Sequence, residues 1–325
     1  MLVGDYYAQN ADLDRMSMGY DMKIAVIGAG NVGATAALAI AEKELGDVLL
    51  LDIAIGIPQG KGLDMLEAAP LQGVDTKITG SNDNAAMAGS DIVVVTAGLP
   101  RKPGMSRDDL LQINAKIVRS VAANIKQYAP QAIVIVVTNP LDVMTYLMFK
   151  ELGCKPSKVM GMAGVLDSTR FRAFIAEALD VSTRDIQTMV LGSHGDSMVP
   201  LVEYTTVAGI PLVQLLPKKR IDELVQRTRD GGAEIVKYLQ TGSAFYAPGY
   251  SIAEMVEAIV KDSKRILPAA AYLDGEYGLK DIFAGVPVKL GKNGVEKVIE
   301  VRLDNASKGA LLKSADTIKE SIQKL

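Results

Sequence analysis

One cysteine and one histidine are all that this chain of 325 residues contains of the two most versatile ligand-forming side chains. The lone thiol, Cys154, excludes an internal disulfide and any zinc site built from several cysteines, and it fits a reducing compartment. Charge of one sign is also scarce: 35 Lys and Arg stand against 38 Asp and Glu, a formal net charge of −3, with no basic block. That balance argues against an electrostatic grip on nucleic acid or on an anionic membrane. No apolar run approaches the roughly 18 residues that span a bilayer. The opening stretch, "MLVGDYYAQNADLDRMSMGYDMK", carries acidic residues and lacks an apolar h-region, so it does not read as a secretory signal. Low-complexity linkers and solenoid repeats are missing too. These absences predict a cytoplasmic protein.

What is present suits an ample folded core, with 49% hydrophobic and 22% charged residues. The length predicts two domains. Residues 1–20 have no periodicity and read as an N-terminal extension. From residue 22 short buried runs recur, at "KIAVI", "DVLLLDI", "SDIVVVTAG" and "QAIVIVVTNP", with helical stretches between them such as Ala34 to Leu45. Buried strands alternating with helices predict an α/β, Rossmann-type doubly wound parallel sheet over residues 21–162. Beyond that the character changes. "AGVLDSTRFRAFIAEALD", "RIDELVQRTRDGGAEIVKYLQ", "SIAEMVEAIVKDSKR" and the amphipathic C-terminal stretch read as helices. "DIFAGVPVKLGKNGVEKVIEV" reads as an antiparallel hairpin turning at Asn293-Gly294. Residues 163–325 are therefore predicted to be a mixed α+β domain packed beside the first.

Gly28, Gly30 and Gly33 form G-x-G-x-x-G between a predicted strand and a predicted helix. In that setting the glycines serve a tight turn, close approach to a pyrophosphate and close helix–strand packing. The helix N-terminus then offers N–H groups and partial positive charge to phosphates. Asp52 closes "VLLLD" 19 residues after Gly33, where a carboxylate accepts hydrogen bonds from a ribose diol and repels a 2′-phosphate. Residues 53–60 hold no Arg or Lys. The pattern points to NAD rather than NADP.

The single histidine sits in "GSHGDSMVP". A lone His is often surface filler or a satisfied core residue, but here Gly192 and Gly195 allow close backbone approach and Asp196 and Ser197 add polar neighbours. "GVLDSTRFRAF" sets Asp167 and Arg170 on one helix face. They form either a simple ion pair or a divided device, with Asp167 orienting His194 and Arg170 clamping a substrate carboxylate. "AGLPRKPGMSRDDLLQIN" carries Arg101 and Arg107 on a loop-like stretch, where basic residues are either solvated charges or elements of a closing lid. Asn139 in "VVTNP" falls at the carboxyl edge of a strand, where open α/β sheets bind ligands.

Taken together, "GAGNVG", "LLLD", "TAGLPRKPGMSR", "VTNPLD", "GVLDSTRFR" and "GSHGDSMVP" make residues 22–325 resemble the lactate/malate dehydrogenase family, most closely its malate-specific members of lactate-dehydrogenase-like type. The resemblance implies NAD-dependent oxidoreduction of malate and oxaloacetate, with lactate or another 2-hydroxy acid as the alternative. It makes His194 the proton donor and acceptor, Asp167 its partner, Arg170 the clamp for the C1 carboxylate and Arg107 the group that polarises the carbonyl. Arg101 stands where lactate-specific members carry glutamine and implies a second substrate carboxylate. Asn139 is implied to contact substrate and nicotinamide. Gly28, Ala29, Gly30, Asn31, Val32 and Gly33, with Asp52, Asn114, Val137 and Thr138, are implied to line the cofactor site. The family likeness also implies a homotetramer built from dimers, or else a homodimer. A catalytically silent NAD-binding protein would lack one of His194, Asp167, Arg170 and Arg107, and all four are present. "TGSAFYAPGYS" departs from the alanine-rich stretch expected at this point, and no contact is assigned there.

Overall fold

A computed structural model describes residues 22–100 and 105–325 of the chain. The predicted N-terminal extension and Arg101 lie outside the described residues.

The first half alternates as expected: β1 (Lys23–Ile27), α1 (Asn31–Glu42), β2 (Asp47–Leu51), α2 (Ile57–Gln72), β3 (Ile78–Ser81), β4 (Ile92–Val95), α3 (Arg107–Tyr128), β5 (Ile133–Val136), α4 (Leu141–Leu152) and β6 (Val159–Gly161). The six strands are parallel, in the order 3-2-1-4-5-6. The reason is visible in β4, whose Ile-Val-Val-Val run is wholly buried. A strand apolar on both faces is stable only where helices cover both sides. The order reverses between β1 and β4, opening a crevice at their carboxyl ends.

α1 starts three residues before the predicted Ala34, because the glycine-rich turn itself becomes the helix N-terminus, with Gly30 as its cap. It stops at Glu42 rather than Leu45. Leu45 is buried beyond the helix end, so its apolar character extended the apparent periodicity.

In the second half, α5 (Gly164–Leu179) is followed by two-residue strands β7 (Ile186–Gln187), β8 (Val190–Leu191), β9 (Val199–Pro200), β10 (Thr206–Val207) and β11 (Ile210–Pro211). Then come α6 (Lys218–Leu239), α7 (Tyr246–Val260), β12 (Arg265–Asp274), β13 (Lys280–Gly291), β14 (Gly294–Val298) and α8 (Asn305–Ile322). The predicted hairpin is β13–β14, and Gly294 leaves its turn at φ 85°, a backbone state that favours glycine. β12 is an addition to the sequence reading. Its Pro-Ala-Ala-Ala centre has little strand propensity, but each residue from Arg265 to Leu273 pairs with β13 in register. β12 also pairs antiparallel with β6. The three antiparallel strands thereby continue the parallel sheet into one of nine strands, rather than forming a separate layer beside it.

One apolar core runs under this sheet from Ile24 and Leu50 to Phe283 and Ile318. A smaller one, with Phe171, Ile175, Ile186 and Leu224, joins α5 to α6. Among the described residues no helix is long and apolar enough to cross a membrane.

The glycine-rich turn gives a direct test of this packing. A Cβ on Gly33 would overlap the Gly28 carbonyl oxygen, whereas one on Gly30 meets no atom within 4 Å. Gly33→Ala is therefore expected to destabilise the fold by about 3 kcal/mol through overpacking. Gly30→Ala should cost about 1 kcal/mol or less, the scale of a changed helix cap. Urea denaturation of the two variants checks the contrast.

Candidate active site

The parallel sheet delivers its strand ends to one edge, and hydrogen bonds join those ends into a continuous row. Gly28 leaves β1 at φ 106°. Its N–H donates to the Leu51 carbonyl at 2.7 Å, and its carbonyl accepts from Thr96 Oγ1 at 3.0 Å. Ala29 is held on both sides of its residue: its N–H donates to Asp52 Oδ2 at 2.6 Å and its carbonyl accepts from Lys61 Nζ at 2.8 Å. Asp52 Oδ1 accepts the Ala54 N–H at 2.9 Å. Lys61 carries no distinguishing signal in the sequence, and only the turn of α2 brings it back to Ala29.

This edge fits a dinucleotide. Gly30, Asn31 and the helix start are exposed, no side chain caps α1, and the space over Gly30 is open. The first-turn N–H groups of α1, around Asn31, Val32 and Gly33, thus face a gap suited to phosphate. Asp52 uses one lone pair on each oxygen, so two acceptor sites remain for a diol.

Further along the row, Thr138 Oγ1 donates to the Ala97 carbonyl at 2.6 Å. Thr138 is buried, Val137 half-buried and Asn139 exposed at the edge. Asn114 is fully buried, and its amide is saturated by the protein. Oδ1 accepts the Leu99 N–H at 2.8 Å, while Nδ2 donates to the carbonyls of Leu99 at 3.1 Å and Asn139 at 2.7 Å. Asn114 thereby ties Leu99 to Asn139 at this edge.

His194 lies in the loop between β8 and β9, which pair antiparallel. The loop is anchored at its base by the Gly192–Gly285 bridge to β13, so close that a Cβ on Gly285 would collide with the Gly192 carbonyl. His194 Nδ1 is 2.9 Å from Asp167 Oδ2, and the Asp167 side chain is only 2% exposed. A buried carboxylate accepts there, so Nδ1 carries the proton and Nε2 is left for another partner. Burial by itself lowers the imidazole pKa. The charge of Asp167, its hydrogen bond and the charge of Asp142 outweigh burial and the repulsion of Arg170, so the pKa is raised.

Arg170 lies on the same face of α5, with Nη1 3.4 Å from Asp167 Oδ1 and its side chain 12% exposed. Burial pushes its guanidinium pKa down against the pull of Asp167. Its Nε has no hydrogen-bond partner among the described residues. The side chain borders a cavity of about 320 Å³, shared with Thr169, Phe174, Arg227, Gly231 and Ala247. Ala247 belongs to the stretch to which no contact was assigned, and Gly231 on α6 leaves room where a Cβ would press within 3.2 Å of Arg170 Cδ. A guanidinium with unused donors at a cavity wall is equipped to take a carboxylate.

Arg107 opens α3 behind the Ser106–Asp109 capping box. Its Nη2 pairs with Asp196 Oδ2 at 3.1 Å, and both side chains are largely exposed. Arg107 therefore reaches the His194 loop, two residues from the imidazole. Asp142, in "VTNPLD", is buried beneath Ser193 and His194. A carboxylate at the start of a helix carried no distinguishing signal in the sequence. Among the described residues no group of three or more His, Cys, Asp or Glu is arranged to hold a metal.

The likeness to known proteins covers both halves of this arrangement. Residues 22–161 match the lactate/malate dehydrogenase NAD binding domain, and residues 164–325 match the lactate/malate dehydrogenase alpha/beta C-terminal domain. The malate dehydrogenase of Methanosarcina mazei is 57% identical over 94% of this chain and 99% of its own length. Among solved structures, the apo malate dehydrogenase of Picrophilus torridus superposes with a TM-score of 0.91 at 50% identity, covering 93% of this chain and 96% of that one. The lactate dehydrogenase of Cryptosporidium parvum, solved with lactic acid and nicotinamide adenine dinucleotide, superposes with a TM-score of 0.90 at 43% identity, covering 93% and 97%. With two family domains in sequence and relatives of this identity over most of its length, the chain belongs to the lactate/malate dehydrogenase family.

Proposed function

We propose that this chain is an NAD-dependent malate dehydrogenase that interconverts malate and oxaloacetate. The observation that carries the reading is the His194–Asp167 contact at 2.9 Å with Arg170 beside it, at the edge that also holds the dinucleotide fingerprint. When bound, NAD supplies the hydride acceptor, and NADH the donor in the reverse direction. The glycine-rich turn and the N-terminus of α1 hold its pyrophosphate, and Asp52 takes the adenine-ribose diol. Ile53 and Ile55, 95% and 91% exposed, offer an apolar surface beside that ribose.

The protein's own part is proton transfer, charge placement and selection. In the direction of reduction, protonated His194 donates from Nε2 to the carbonyl oxygen as negative charge develops there; in oxidation the neutral imidazole accepts the hydroxyl proton. Asp167 holds the ring in the tautomer that permits this. Arg170 binds the C1 carboxylate with donors that the protein does not use. Arg107 exchanges a solvent-exposed partner, Asp196, for the substrate carbonyl; such an exposed pair is weak and gives little resistance. Arg101 pairs with the second carboxylate, which distinguishes oxaloacetate from pyruvate. Solved structures of the same fold include a lactate dehydrogenase at 43% identity, and the residue we assign to the choice between the two substrates is Arg101. Exposed Leu63, Leu66 and Leu71 on α2 support an assembly of several copies, read here as a homotetramer with a homodimer as the alternative, in the cytoplasm.

The deciding assay is NADH oxidation with oxaloacetate beside pyruvate, and three expectations refine it. First, the raised His194 pKa means that kcat/KM for oxaloacetate falls as pH rises through it, while kcat/KM for malate rises over the same interval. Asp167→Asn removes the charge that favours imidazolium, so steady-state profiles should show both inflections moved to lower pH. Second, Asp52→Ser should narrow the preference for NAD over NADP by about tenfold or more, through lost diol hydrogen bonds and lost repulsion. Equal use of the two cofactors by the unaltered protein would refute the role of Asp52. Third, a desolvated guanidinium left unpaired by pyruvate predicts a preference for oxaloacetate on the order of 10⁴-fold. Arg101→Gln should erode that ratio from both sides; a ratio unchanged within about tenfold removes Arg101 as the discriminator.

A further inference from the structure

Asp142 is the second residue of α4, 3% exposed, and it meets the His194 loop from below. Its Oδ2 accepts the Ser193 hydroxyl at 2.8 Å and the His194 N–H at 3.1 Å. Its Oδ1 is buried with no partner among the described residues. The loop also has a neutral support, because Ser314 Oγ on α8 accepts the Ser193 N–H at 2.7 Å and lies 3.2 Å from Ser197 Oγ.

A neutral acceptor would be enough to hold two donors. A carboxylate with one oxygen left bare costs desolvation that such an acceptor would avoid. Its charge lies against the His194 main chain and acts on the imidazole that this residue carries. The charged groups that act on it are His194 on the loop and Asp167 on α5; Arg170 on α5 acts on the imidazole, and α8 brings only neutral Ser314 to this contact. The start of α4 lends the anion partial positive charge.

We propose that Asp142 is a second, positioning carboxylate of the acid–base centre: it grips His194 by its main chain, and its negative charge favours the imidazolium. Asp167 takes the ring and Asp142 takes the backbone. This rests on the reading of His194 as the acid–base. Burial pushes the Asp142 carboxyl up to about 6, against the Ser193 hydroxyl and the His194 N–H, which lower it. Asp142 is thus charged while a raised imidazole titrates above it, and it loses that charge in mildly acidic solution.

Because the chain has one histidine, its imidazole can be followed alone by 13C NMR of histidine-labelled full-length protein. The unaltered protein should give a two-step titration, a main inflection from the imidazole and a smaller one near pH 6 from Asp142. In Asp142→Asn the smaller step should vanish and the main one move down by about half a unit to one unit. The alkaline limb of kcat/KM for oxaloacetate should move with it, roughly a three- to tenfold loss at a fixed alkaline pH. Ser193→Ala, which removes a hydrogen bond to the charged carboxylate, should move the smaller step to higher pH. That variant decides the matter if Asp142→Asn does not fold. A one-step titration that neither variant shifts would overturn the proposal and leave Asp142 a loop staple. If the imidazole followed Asp142 while kcat/KM ignored the imidazole, the acid–base reading of His194 would fall instead.

Discussion

The buried carboxylate of Asp167 is the constraint around which the catalytic half is arranged. An ionised group with 2% of its side chain exposed is tolerated only where donors replace the water it has lost. One oxygen is served by His194 Nδ1 and the other by Arg170 Nη1. The first contact sets the imidazole tautomer and directs Nε2 outward. The second commits one edge of the guanidinium and leaves the rest for a ligand. The need to satisfy one carboxylate therefore orients both the His194 imidazole and the Arg170 guanidinium.

Meeting that need requires a rigid loop, and the tertiary structure supplies rigidity from three sides. β8 and β9 close its base, the Gly192–Gly285 bridge ties it to the sheet, and Asp142 and Ser314 hold Ser193 and His194 from α4 and α8. A side chain at 285 would strike the Gly192 carbonyl, and Gly192 itself takes a φ of 81° that favours glycine. The same sheet carries the cofactor edge, so the distance between the two halves of the chemistry is set by strand spacing rather than by a mobile junction. Thr96, Thr138 and Asn114 tie successive strand ends together along that edge. The start of α3 is different in kind: Arg107 pairs with the largely exposed Asp196, a contact that solvent screens.

Much of this was legible in the chain because the signals are local. The wholly apolar runs of β4 and β5 mark strands covered on both faces, and Gly28, Gly30 and Gly33 mark a turn whose geometry follows from a missing Cβ. Asp167 and Arg170 share a face by helical spacing alone. The misreadings have physical causes as well. Leu45 is buried by tertiary packing after its helix has ended. β12 has a centre of alanines and proline, and it becomes a strand because β6 and β13 pair with it on both sides. Lys61 and Asp142 are ordinary surface-type residues on helices until the fold carries them to Ala29 and His194.

The sequence by itself determined the alternation of strands and helices, the dinucleotide turn and the types of side chain available for the chemistry, since each depends on neighbours within a few turns of backbone. Only the tertiary structure decided that the antiparallel strands extend one sheet, that Asn114 ties Leu99 to Asn139, and that two carboxylates converge on one histidine. Those contacts join residues tens to more than a hundred positions apart, and no local preference of the chain encodes them; they exist because burial of the shared core brings the carrying elements together.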